Sequence, residues 1–218
     1  MASPRALDVI VEQGTSRTFV AVLEWPGWCR SARTRDGVEA ALEAVTAYRD
    51  RYARAMSGPT MLRVPTRFTL RVVQTVDGNA TTDYGAPDAR GDADHEPLTG
   101  RELTRQLACL QDAWAALDDA AQRSPEVLRK GPRGGGRDRT AVLAHVREAE
   151  RAYARKVGLR LPPRTPDEEQ RTAIVETLRE RAADGATDPR WPLRYVVRRM
   201  AWHVLDHAWE IEDRVAPE

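Results

Sequence analysis

Met200-Ala-Trp-His-Val-Leu-Asp-His-Ala-Trp-Glu210 is the stretch on which the reading of this chain turns. As a helix it places His203 and His207, four residues apart, one turn above the other on one side. Leu193, Val196 and Met200 lead into that side and Ile211 continues it, so a helix is expected over 192–214. A third histidine, His145, lies on the apolar stripe of another helical segment, 138–157, with Val142, Ala149 and Tyr153.

Working outward, the rest of the second half is helical by pattern. Leu103, Leu107, Leu110, Trp114, Leu117 and Ala121 repeat at steps of four and three. A further segment, 166–183, carries Ile174, Val175 and Leu178 and opens on proline, which is tolerated in a first turn. Amphipathic segments joined by short connections predict an antiparallel four-helix bundle over 91–218.

The first half has another period. Leu7, Val9 and Val11 alternate as in a half-buried strand, and a turn at Gly14-Thr-Ser16 leads to a second strand over 18–24. Trp25-Pro-Gly-Trp28 breaks that strand. Asp36 is placed to cap a helix over 37–55 bearing Val38, Leu42, Val45, Tyr48 and Tyr52, which Gly58-Pro59 stops. Phe68, Leu70 and Val72 make a third strand. The expectation is α+β: a small ββαβ unit over 1–90, then the bundle, with 77–97 as a linker.

Composition narrows the class. The chain has 218 residues and a net charge of +1, which argues against a nucleic-acid binder. Its only lysines are Lys130 and Lys156, so the cations are nearly all arginine, as codon bias would give. No apolar run reaches the ~20 residues of a membrane span, and no signal-peptide pattern opens the chain. Cys29 and Cys109 match no metal or redox spacing. A cytoplasmic protein in a reducing compartment is expected. Lys130-Gly-Pro-Arg-Gly-Gly-Gly-Arg-Asp138 lacks the ending of a phosphate loop and reads as an interhelical loop near the bundle mouth. Arg198 and Arg199 read as surface charge, and His95 as polar surface.

One histidine on an apolar stripe is usually a core residue with ordinary hydrogen-bond partners. Three that converge from two helices leave several ring nitrogens to satisfy, and a divalent metal does so at once. His145, His203 and His207 are therefore the expected metal ligands, with coordination positions left open. Val204 stands where a zincin has its glutamate, so the usual base of that motif is absent. Glu148, one turn after His145, and Glu210, one turn after His207, are the candidate catalytic carboxylates; otherwise they are solvated helix charge. Asp206 points off the histidine face.

Leu143-Ala-His145-Val-Arg-Glu-Ala-Glu150 and Trp202-His-Val-Leu-Asp-His207 resemble the motifs of the DinB/YfiT-like superfamily of metalloenzymes, over roughly 96–218. The resemblance implies a four-helix bundle holding zinc or nickel on the three histidines. It also implies thiol-dependent transfer or isomerisation with a low-molecular-weight thiol such as mycothiol or bacillithiol. The stretch between His145 and His203 is short for that family, which leaves the pocket rim and substrate open. Phe19-Val-Ala-Val-Leu-Glu-Trp-Pro-Gly-Trp-Cys-Arg and Asp36-Gly-Val-Glu-Ala-Ala-Leu-Glu resemble the HicB antitoxin-type domain, a ββαβ unit that often pairs with other proteins.

Together these readings predict a metal-dependent enzyme acting on a small molecule by thiol-dependent transfer or hydrolysis. The first half would help form the pocket or a homodimer interface. The competing expectation is a non-catalytic binding or regulatory protein that recognises a protein or RNA through the HicB-like half, where changes around Trp25 and Trp28 would matter most; as aromatics beside a turn, the two are otherwise packing residues.

Overall fold

A computed structural model describes residues 4–130, 136–185 and 188–215. It is a mixed α+β structure: a four-stranded sheet in the first half, then a run of helices. Strands β1 (Arg5–Gln13), β2 (Arg17–Val22) and β3 (Cys29–Arg33) form an antiparallel meander. Helices α1 (Gly37–Ala47) and α2 (Arg49–Ala55) then carry the chain across the sheet to β4 (Phe68–Asp77), which pairs parallel to β1. The order is β3-β2-β1-β4.

Strand β3 corrects the expected strand, strand, helix, strand order. Trp25-Pro-Gly-Trp28 does end β2, but as a turn into a further antiparallel strand: Val22 N donates to Trp28 O at 2.9 Å. The sequence Cys-Arg-Ser-Ala-Arg has no apolar alternation because β3 is an edge strand held by its backbone. The helix expected over 37–55 is present but divided at Tyr48, and the Asp36 side chain makes no capping hydrogen bond.

Leu7, Val9, Val11, Val20 and Val22 face one side of the sheet and join the main core with Ala41, Val45 and Tyr52 of the crossover helices. Ile10, Phe19, Ala21 and Cys29 face the other side and meet Trp202. The first strands are thus buried on both faces rather than half-buried. Trp28 is fully buried, stacked on Tyr52 at 5.3 Å, and its Nε1–H donates to Val45 O at 2.9 Å. Trp25 is buried too. Neither tryptophan is a surface for a partner.

The second half contains α4 (Gly100–Arg123), which carries the stripe from Leu103 to Ala121, and α5 (Arg139–Lys156), α6 (Asp167–Asp184) and α7 (Leu193–Asp213), each within one residue of the expected bounds. Helix α7 packs against α4, α5 and α6, and its Trp202 reaches the sheet. It is buried almost all round from Tyr195 to Leu205, as an interior helix must be. Arg198 and Arg199 are therefore buried, not surface charge, with relative exposures of 5% and 8%.

The stretch 77–97 is a packed segment rather than a linker. It holds α3 (Ala80–Tyr84), capped by Asn79, and a 3-10 turn, Asp92–His95, that buries Asp94. Asp94 accepts from Arg198 Nη2 at 2.5 Å and from Gly91 N at 2.9 Å, which fastens this segment to α7.

Gly27 sits where the β2–β3 turn touches α7. Its φ is +90°, and a Cβ there would lie 2.6 Å from Leu205 Cδ1 and 3.3 Å from Ala201 O. Gly27→Ala is expected to destabilise the fold by about 1–3 kcal/mol, through overpacking and a strained φ. Thermal unfolding would show it as a lower midpoint; an unchanged midpoint would mean the turn rearranges freely.

In the helical half, Glu150 is buried and accepts from Trp114 Nε1 at 2.5 Å and Gln170 Nε2 at 2.9 Å. Burial outweighs these donors and holds its carboxyl above the usual range. The folded chain then binds this proton more tightly than the unfolded one, so stability falls as pH rises through the raised value. Glu150→Gln removes the titrating group but turns one acceptor into a donor facing an N–H, so its melting midpoint is expected to vary less with pH than that of the parent chain. Identical pH profiles for both chains would refute this.

Candidate metal centre

The three histidines converge. His203 and His207 lie on one face of α7, and His145 projects from α5, which packs against it. One nitrogen from each ring can be chosen so that all lie within 4.8 Å of one another. Nε2 of His203 and Nε2 of His145 are 3.3 Å apart. The centroid of His207 lies 4.5 Å from that of His203 and 4.9 Å from that of His145. His203 is buried, while His145 and His207 are partly exposed, so the cluster has an open side.

Electrostatics favour the neutral form of His203 and of His145. Burial, then the His207 and His145 rings and the Arg199 and Arg137 guanidinia, push His203 down to about 2. Burial and His207 also lower His145. Neutral imidazoles crowded together present lone pairs toward a common point, which is what a divalent cation takes.

His207 Nδ1–H donates to Glu210 Oε2 at 2.7 Å, the proton being assigned from this partner. That leaves Nε2 as the lone-pair nitrogen of the ring. Glu210 is steadied on its other oxygen by Arg214 Nη1 at 2.8 Å. The His207 hydrogen bond is the main force holding the Glu210 carboxyl below its ordinary range. The carboxylate–histidine arrangement fixes the tautomer and aim of a ligand ring.

A protein-only arrangement accounts for part of this. A proton shared between the two Nε2 atoms joins His203 to His145, and His203 Nδ1 is buried with no hydrogen-bond partner whether Nε2 holds that proton or an ion. The donor set and the carboxylate behind His207 fit an imidazole-preferring ion.

The other candidates are placed as follows. Glu148 is exposed, near enough to His145 to act on its charge. Asp206 faces away toward Arg30 Nη1, at 3.6 Å. His95 is exposed and outside the cluster. Cys29 and Cys109 are buried, and burial pushes both thiols up to about 12, which makes them poor nucleophiles. Of the loop 130–138, residues 131–135 lie outside the described residues; Lys130 Nζ donates to Asp138 Oδ1 at 2.6 Å. Among the described residues no helix is long and apolar enough to cross a membrane.

Sequence reasoning missed two neighbours. Tyr153 packs its ring edge-to-face on His203, 5.9 Å between centroids. Arg199 lies one turn before His203, in the same row as His203 and His207; that four-residue step was the signal that could have found it. A cleft of about 810 Å³ lined by Ala116, Arg123 and Trp209 does not include the histidines. No family model, no curated protein and no solved structure matches this chain.

Proposed function

We propose that this chain is a metal-dependent enzyme whose His145, His203 and His207 hold zinc or nickel in an antiparallel four-helix bundle. The observation that carries the reading is the convergence of three imidazole nitrogens within 4.8 Å from two helices. Three ligands suit a working centre better than a structural zinc, which usually closes its shell with four. Bound there, the ion would act as a Lewis acid and lower the pKa of a water or thiol.

The chain's own residues do the rest. Glu210, anchored by Arg214, holds the His207 ring in place and keeps its Nδ1 proton. So committed, Glu210 is a positioning carboxylate. Glu148, exposed one turn beyond His145, is the carboxylate left to take a proton. Tyr153 and Trp202 shield His203 from water on its buried side.

The reaction we favour is transfer to or from a low-molecular-weight thiol, or hydrolysis, on a small molecule. The thiol rests on the resemblance to DinB/YfiT-like proteins. Against the alternative of a regulatory surface in the first half stands the burial of Trp25 and Trp28. Elemental analysis of tag-free protein is expected to find about one zinc or nickel per chain. No metal, even after incubation with both ions, would overturn the proposal. Screening with and without added thiol then separates transfer from hydrolysis.

A further inference from the structure

Two adjacent arginines of α7 are buried, and only one has an acid. Arg198 is paired with Asp94 at 2.5 Å. Arg199, 8% exposed, forms no ion pair among the described residues. Its Nη1 donates to the Pro87 carbonyl at 2.7 Å, and its Nε is sealed from solvent with no hydrogen-bond partner. The nearby Asp88 is engaged elsewhere, by the Tyr195 hydroxyl at 3.1 Å and Asn79 Nδ2 at 3.0 Å.

We propose that Arg199 anchors a carboxylate on the substrate of the three-histidine site, so that this substrate is a short organic acid. The proposal deepens the enzyme reading and rests on it. A buried guanidinium with no carboxylate in contact is costly, and a water molecule would satisfy Nε without adding a charge there. The ring faces of Trp202, 4.9 Å away, and Tyr153, 5.9 Å away, offset part of that charge. They leave Nε without an acceptor. A carboxylate fits it side-on, where one planar fork meets another.

Position links the anchor to the histidines. Arg199 and His203 are one turn apart on α7 and share Tyr153 and Trp202 as neighbours. Residues at that step have Cβ atoms roughly 5–6 Å apart. A ligand gripped at Arg199 would therefore bring atoms only a few bonds from its carboxylate to the imidazoles.

The test uses the full, metal-free chain, propionate as the probe, and the Nε–H signals of arginine in nitrogen-resolved NMR. Propionate is expected to displace one Nε–H resonance saturably, the one missing from the spectrum of Arg199→Lys. That variant keeps the charge but loses the fork, and should bind propionate about ten- to a hundredfold more weakly. No saturable displacement, or equal binding by Arg199→Lys, overturns the proposal. A response to inorganic phosphate and not to propionate overturns the carboxylate class. Zinc uptake is measured separately. Zinc binding without a propionate response removes the anchor and leaves the metal reading. A propionate response without zinc binding sustains the anchor and removes the metal.

Discussion

His203→Ala is expected to raise the dissociation constant for zinc by more than about a hundredfold while the metal-free chain stays folded. His203 Nε2 lies 3.3 Å from His145 Nε2, and its ring centroid lies 4.5 Å from that of His207. Loss of a carboxylate behind a ligand typically costs about 10–100-fold in affinity, so loss of a ligand should cost more. Glu210→Gln supplies that internal comparison and should fall within about 10–100-fold. The fold should survive, because alanine also removes the buried, unpaired Nδ1 of His203. Affinity in the parent chain should drop in acid, but only below the ordinary imidazole range, because burial lowers His145 and His203 before protons can compete for them. Competition with a chromophoric chelator measures all of this. A His203→Ala chain that binds zinc as tightly as its parent would end the metal reading.

Asp94→Ala should be the most destabilising single change outside the core, by about 3–5 kcal/mol. It would leave the Arg198 guanidinium buried with its main partner gone; the two side chains are 7% and 2% exposed. It would also strip Gly91 N of its acceptor. The loss should come mostly from the stranded charge. The double variant Asp94→Ala/Arg198→Met should therefore recover a large share of the stability, since an apolar pair of similar volume is often neutral. Urea unfolding at neutral pH distinguishes the cases. If the single and double variants are equally unstable, the stranded charge is not the cause.

What the sequence made legible follows from the range of the forces involved. The four long helices were readable because each carries its own apolar stripe, and Leu107, Leu110, Trp114 and Leu117 of α4 are all buried as expected. The histidine cluster was readable because the four-residue step within α7 and the stripe of α5 each fix a direction. Strand β3 was not, because its pairing partner is the backbone of β2 and its side chains carry no pattern. Asp94 was not, because the residue that explains its burial is 104 positions away. Arg198 and Arg199 were misread by assuming that charge means surface. The run Tyr-Val-Val-Arg-Arg-Met-Ala-Trp-His-Val-Leu over 195–205 has no solvated face, and that was visible.

The all-round burial of α7 also bears on the order in which the chain is made. Residues 193–213 leave the ribosome after every other described element, yet they cover Phe19 of the sheet as well as the inner faces of α4 and α5. Until they emerge, the nascent chain carries uncovered apolar surface from both halves. Completion of the fold must then wait on the same helix that bears His203 and His207, so that a chain cut short before it would lack the histidine pair and a finished core together.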